Sequence, residues 1–234
     1  MVKKRFSIII VFILCLGIFA GSFYCYFSVI PRQKERAERE RLVKEYYDKK
    51  VKIYQAENEQ YADYEVDVAF LGDSLTDGYD LKKYYPQYLT ANRGIGGDTT
   101  FGLENRLQVS AIDLKPKVVV MLIGANNFHT MLDNYESILI KLKVGLPESK
   151  IVLLSLTAMG GDWAKNNDIA KQNNVEIKRL AEKYNYEFID LFTPLLDPIT
   201  NEVYDGYTVD GGHFTATGYE AVTAKISPVL ERLL

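Results

Sequence analysis

Val66-Asp67-Val68-Ala69-Phe70-Leu71-Gly72-Asp73-Ser74-Leu75-Thr76 is the stretch that decides the fold. An apolar run of strand length stops abruptly on a cluster of small and polar residues. The pattern recurs downstream: Val118–Ile123 and Ile151–Leu156 are further runs rich in Val, Ile and Leu, and Glu187–Leu191 is a weaker one. Runs of this kind suit strands buried on both faces. Amphipathic stretches lie between them, at roughly Thr100–Ser110, Asn134–Leu146 and Asp168–Tyr184, and a last one covers about Thr217–Leu234. Alternating strand and helix predict a parallel sheet with helices on both sides. A short strand about Asn92 brings the expected number to about five. The expected fold is therefore α/β, a three-layer α/β/α sandwich of flavodoxin-like type.

Upstream of Val66 the composition changes twice. Lys3, Lys4 and Arg5 precede an apolar run from Phe6 to Ile30. As a helix, a run of about 25 residues rises roughly 37 Å, enough to span a bilayer core. Residues 1–30 are thus expected to be a membrane anchor. The alternative is a signal peptide cleaved near Ala20-Gly21-Ser22, but Phe23, Tyr24, Tyr26, Phe27, Val29 and Ile30 would then form an exposed apolar end. The basic cluster before the run predicts export of the downstream chain, although Arg32, Lys34, Arg36, Arg39 and Arg41 lie on the other side. Residues 31–62 carry interleaved charges, including Glu35–Arg39 and Glu40–Lys44 at i,i+4 spacing, and read as a solvated helical stalk. Residues 63–234 form the remaining domain, and the chain after Val66 is expected to fold and work without the first 60 residues.

Bulk properties exclude several classes. The net charge of -3 over 234 residues gives no basic face for nucleic acid. Both cysteines, Cys15 and Cys25, lie in the apolar run, so the globular part has neither a disulfide framework nor a thiolate metal site. No metal and no cofactor is called for. The six residues Gly94-Ile95-Gly96-Gly97-Asp98-Thr99 do not fit the dinucleotide fingerprint.

Ligands of open parallel sheets bind outside the carboxyl ends of the strands. The segments just after the strands are Gly72-Asp73-Ser74-Leu75-Thr76, Gly94-Ile95-Gly96-Gly97-Asp98 and Gly124-Ala125-Asn126-Asn127, and Asp210-Gly211-Gly212-His213 precedes the last helix. A serine hydroxyl needs an adjacent base before it can attack, and histidine is the usual base near neutral pH. The chain has two histidines, His129 and His213. His213 has Asp210 three residues before it, able to orient the ring. His129 has only Asp133 at helical spacing and reads as an exposed residue at a loop-to-helix junction. Trp163, in the polar loop after the fourth strand, suits either stacking on a substrate or packing the loop. Singly each signal is weak: a serine in a strand-to-helix turn is commonly an N-cap, and a Gly-rich run is commonly a tight turn. Together, in this order and at one edge, they point to acyl transfer.

From Val66 onward the chain resembles the SGNH, or GDSL, hydrolases. Gly72-Asp73-Ser74-Leu75 is similar to that family's first block, and the resemblance implies Ser74 as nucleophile. It likewise implies Asp210 and His213 as the rest of a triad, with the Ser74 and Gly97 N–H groups and the Asn126 amide as the oxyanion hole. Asn92–Thr100, with Lys115-Pro116-Lys117-Val118, is similar to the platelet-activating-factor acetylhydrolase catalytic subunits, implying a short, acetyl-type acyl group. Many family members carry Asp where this chain has Asn127; the acetylhydrolase-like branch has Asn.

The expected activity is a serine esterase acting on an acylated glycan or lipid, with Asn127, His129 and Trp163 as candidate substrate contacts. The expected location is outside the cytoplasm on a membrane anchor through residues 6–30, or secreted after cleavage. Lysophospholipase or acyltransferase chemistry on the same fold is the alternative, as is a non-catalytic, membrane-anchored binding protein. Oligomeric state is not legible.

Overall fold

A computed structural model describes residues 30–234. The anchor expected at residues 6–30 lies, but for Ile30, outside the described residues. Among the described residues no helix is long and apolar enough to cross a membrane. The first element, α1 (Ile30–Asn58), is charged along most of its length. The described residues up to Lys49 belong to one compact unit, and Lys50–Leu234 form the other. In the first unit α1 is exposed, with ion pairs Arg36–Glu40, Arg41–Glu38, Arg41–Glu45 and Lys44–Asp48. These are not the pairs expected from spacing, because Glu40 is taken by Arg36 and Lys44 by Asp48. All are solvent-exposed, and such pairs stabilise little.

The second unit is built on one parallel sheet of β1 (Val68–Gly72), β2 (Thr90–Gly94), β3 (Val118–Leu122), β4 (Lys150–Leu154) and β5 (Glu187–Ile189). The order is β2-β1-β3-β4-β5, and every pairing in it is parallel. This is the flavodoxin-like doubly wound order. β1 and β3 are buried at every residue, as their unbroken apolar runs require. Short helices α2 (Ser74–Asp77) and α3 (Leu81–Tyr84) follow β1, and α4 (Thr100–Asn105) follows β2. The longer helices α5 (Leu132–Gly145), α6 (Asn167–Tyr184) and α8 (Ala216–Leu233) lie close to the expected positions. Between α6 and α8 come β5, the short α7 (Phe192–Leu195) and a small antiparallel pair, β6 (Leu196–Asp197) with β7 (Glu202–Val203).

The helix expected at Thr100–Ser110 is interrupted. After α4 the backbone passes into a π turn at Gln108–Ile112. The change falls beside Arg106, whose buried guanidinium reaches inward to the Arg93 and Gly72 carbonyls and to Asp98. The globular unit also starts earlier than the boundary at residue 63. From Lys50 on, α1 lies against the end of β2, and Tyr54 is 1% exposed.

Candidate active site

The sheet order places the switch point between β1 and β3, because the chain leaves β1 toward β2 and returns on the other side. Ser74 follows β1 and Asn126 follows β3, so both flank that crevice. Ser74 is the first residue of α2, and Asp73 caps the helix by accepting the Leu75 N–H through Oδ1 at 3.1 Å. This tight strand-to-helix turn leaves Ser74 partly exposed at the sheet edge.

His213 arrives from a separate loop before α8. Its Nε2 lies 3.0 Å from Ser74 Oγ, and its Nδ1 lies 2.7 Å from Asp210 Oδ2. Asp210 Oδ1 also accepts the Gly212 and His213 backbone N–H groups, at 2.9 and 2.8 Å. These bonds hold the Asp210 carboxyl down at about 2, the His213 backbone donor first and its ring second. Asp210 is therefore ionised at neutral pH and accepts from Nδ1–H, which leaves Nε2 as acceptor for the serine hydroxyl. Gly211 makes the loop possible: its φ is +86°, and a Cβ there would stand 2.0 Å from the Gly160 carbonyl oxygen.

The turn after β2 contributes Gly97, whose φ of +79° suits glycine. Its neighbours' N–H groups are committed: Gly94 to Asn92 Oδ1, Ile95 to the Gly72 carbonyl, Gly96 to Asp77 Oδ2 and Asp98 to the Ile95 carbonyl. Among the described residues, Gly97 is the member of Gly94–Asp98 whose N–H has no partner. Asn126 donates from Nδ2 to the Asp98 carbonyl at 2.8 Å. An amide nitrogen carries two hydrogens, so Asn126 keeps a second donor. The Asp98 carboxylate is in turn held by Arg106 at 2.8 Å, a buried ion pair beneath the turn.

The site opens on a cleft of about 390 Å³, exposed to solvent, whose lining does not include Gly97 or Asp210. Ser74, His213 and Asn126 line it together with the apolar Leu75, Ala125, Met159 and Trp163. Trp163 is half-buried, and its ring lies against Gly212, where an added Cβ would be 3.3 Å away. It thus both borders the cleft and packs the His213 loop. Two of the expected substrate contacts do not line the cleft. Asn127 bonds Thr100 twice, through Nδ2 to Oγ1 at 2.9 Å and through Oδ1 to the backbone N–H at 3.3 Å, tying its loop to α4. His129 is exposed and stands off the cleft. Spacing alone could not reveal this, because the loop makes its own turn before α5 begins, with Asn127 donating to the Gly124 carbonyl and accepting the Thr130 N–H.

Thr157 and Asp73 also line the cleft and were not among the expected contacts. Thr157 was open to the same reasoning as the other loops, since it follows β4 at the same sheet edge. Asp73 sits within the serine block, but nothing in its neighbours signals 1% exposure. Among the described residues no cluster of His, Cys, Asp and Glu could hold a metal.

A parallel α/β sandwich with a Ser–His–Asp chain at its carboxyl edge is the framework of a serine hydrolase. The chain belongs to the GDSL-like lipase/acylhydrolase family, whose model matches residues 70–221. It is 32% identical over 129 residues to platelet-activating factor acetylhydrolase IB subunit alpha2 of Homo sapiens. That match covers 51% of this chain and 55% of the relative, so the chain spans about half the length of the curated relatives it matches. Among solved structures, a GDSL-like lipase from Bacteroides thetaiotaomicron superposes with a TM-score of 0.69 at 25% identity, covering 79% of this chain and 98% of that one. An acetylxylan esterase from Geobacillus stearothermophilus superposes at 0.59 with 22% identity, covering 72% of this chain and 95% of that one, a likeness of fold.

Proposed function

We propose that the protein is a serine esterase that removes a short, acetyl-type acyl group from a glycan or lipid ester through an acyl-enzyme. The observation that carries this reading is the unbroken chain Ser74 Oγ, His213 Nε2, His213 Nδ1, Asp210 Oδ2 at 3.0 and 2.7 Å, opening on one cleft. In this reading Ser74 Oγ attacks the ester carbonyl while Nε2 takes its proton. The ionised Asp210 stabilises the imidazolium. The N–H groups of Ser74 and Gly97 and the free amide hydrogen of Asn126 receive the oxyanion. The imidazolium then protonates the leaving alcohol, and a water activated by His213 releases the acid and regenerates Ser74. The apolar wall of Leu75, Ala125 and Met159 accommodates a small acyl group, and Trp163 at the rim offers a face to the alcohol portion. The same proposal retains residues 6–30 as an anchor with the domain outside the cytoplasm; recovery only of a soluble form starting after Ala20 would overturn that part.

The test is a variant series assayed on aryl esters. Ser74→Ala is expected to abolish turnover and labelling by a fluorophosphonate probe, and His213→Ala to be nearly as damaging, since triad members act as a unit. Asn126→Ala removes one oxyanion donor and is expected to lower kcat by about a hundred- to a thousandfold. Asp210→Asn is expected to slow turnover strongly while the fold persists. Rates are expected to fall as the acyl chain lengthens from acetyl. Full activity in folded Ser74→Ala would overturn the reading, and a preference for palmitoyl esters would replace it with a lipase.

A further inference from the structure

Asp77 lies one helical turn after Ser74, at the last position of α2. Its carboxylate faces two ways. Oδ2 accepts the backbone N–H of Gly96 at 3.0 Å, and Oδ1 takes the Lys50 ammonium at 2.7 Å. Gly96 immediately precedes Gly97, so this one carboxylate links the helix that starts at Ser74 to the turn whose free N–H belongs to Gly97. The link is short and well shielded: the Lys50 and Asp77 side chains are 20% and 16% exposed. Around it the spacing is tight, because a Cβ on Gly94 would stand 2.1 Å from the Asp77 backbone nitrogen.

The last turns of α1 grip the same turn from outside. Tyr54 Oη donates to the Gly94 carbonyl at 2.6 Å. Glu57 and Asn58 hold the Arg93 guanidinium, whose side chain is fully buried. Lys50, Tyr54, Glu57 and Asn58 follow one another at i, i+4, i+7 and i+8, which is one face of a helix. That face delivers a charge, a hydroxyl and a carboxylate to three points along one turn: Arg93, Gly94 and, through Asp77, Gly96.

We infer that Asp77 is a positioning residue that fixes the Gly97 turn relative to Ser74, and that Lys50 and Tyr54 of α1 complete the brace. The inference rests on the esterase reading above, because it assigns the turn an oxyanion to receive. Its physical basis is that oxyanion donors act only when held where charge develops, so a loosened turn lowers the rate without weakening ground-state binding. Asp77, Lys50 and Tyr54 do not line the cleft, which separates their role from substrate contact.

The test uses the full chain and a short aryl ester, with kcat, KM, fluorophosphonate labelling rate and Tm measured for each variant. Asp77→Ala is expected to lower kcat and the labelling rate about ten- to a hundredfold, with KM within about twofold of wild type. Asp77→Asn keeps an acceptor for Gly96 but loses the ion pair, so a smaller loss of kcat is expected. Lys50→Met is expected to match Asp77→Asn, Lys50→Arg to restore wild-type turnover, and Lys50→Met/Asp77→Asn to be no worse than either alone, because both break one link. Wild-type kcat in folded Asp77→Ala, or a loss confined to Tm or KM, would overturn the inference. Should Asp77→Ala not fold, wild-type kcat in both Asp77→Asn and Lys50→Met would overturn it equally. Ser74→Ala in the same assay tells the two readings apart: if it retains activity, the esterase reading fails on its own, whatever Asp77 does.

Discussion

Asp73 is the residue whose environment differs most from what its type prefers. It stands between the last residue of β1 and the start of α2, 1% exposed. Oδ1 accepts the Leu75 N–H, while Oδ2 is buried with no hydrogen-bond partner among the described residues. Burial pushes the carboxyl up to about 7. An unfolded aspartate titrates near ~3.9, so the folded state holds this proton more tightly than the unfolded state does. The stability linked to that proton is fully present below the unfolded value and is lost as pH rises through about 7. Asp73→Asn keeps the cap on Leu75 and removes the titration. The Tm of Asp73→Asn minus that of wild type is therefore expected to grow between pH 4 and pH 8 or so, then level off. A difference independent of pH would mean that Asp73 ionises as freely folded as unfolded. The candidate base is far easier to read than this buried carboxyl: with two histidines in the chain, the one preceded by an aspartate at the right distance stands out.

At the scale of elements, what could be read followed from how each strand is buried. β1, β3 and β4 are interior strands written as continuous apolar runs, and the periodicity argument finds them directly. β2 reads Thr90-Ala91-Asn92-Arg93-Gly94 and carries almost no hydrophobic signal. Its polar side chains take partners outside the strand, the Arg93 terminal nitrogens from Glu57 and Asn58 and Asn92 from the Thr76 and Tyr79 carbonyls, while Arg93 Nε is buried without one. Strands β6 and β7 pair only two residues each, too few for alternation to register. Between α4 and α5 the contact is again polar: Glu104 receives Asn134 at 2.7 Å, Ser137 at 2.5 Å and Lys141 at 2.7 Å, three donors along one face of α5. Lys141 foremost, then Ser137 and Asn134, hold the Glu104 carboxyl down at about 2. A depressed carboxylate stabilises above its unfolded value, near ~4.3, and that stability is lost as pH falls through about 2. Glu104→Gln is expected to cost on the order of 1 kcal/mol at neutral pH, less in high salt because Lys141 is half exposed. Its Tm deficit against wild type is expected to shrink steadily below pH 4 or so and to vanish near pH 2. A deficit that persists undiminished into acid would assign the loss to packing rather than to the ion pair.

For the whole molecule, parallel topology explains why a site assembled from residues as far apart as Ser74 and His213 was readable at all. Every strand of the main sheet runs the same way, so every loop after a strand reaches the same edge, and small polar clusters there converge without any knowledge of contacts. The same logic is blind to α1. Lys50, Glu57 and Asn58 read as solvated stalk residues because their partners, Asp77 and Arg93, are distant in sequence and ion pairs leave no periodic trace. The consequence is a firm expectation about where the chain can be shortened. A form beginning near Glu45 keeps every contact of the compact unit that starts at Lys50. A form beginning after Gln60 loses the buried Tyr54 ring together with the Glu57 and Asn58 side chains, and so uncovers the Arg93 guanidinium that they hold. Burying an aromatic ring of this size is worth roughly 2 kcal/mol, and the hydrogen bonds lost from Tyr54 and Asn58 are worth about 1 kcal/mol each. The shorter form is therefore expected to melt about 8–16 °C below the longer one, at roughly 2–4 °C per kcal/mol for a domain of this size. Equal melting temperatures for the two forms would show that the domain is independent of α1, and would reduce the Lys50–Asn58 face to a passive contact.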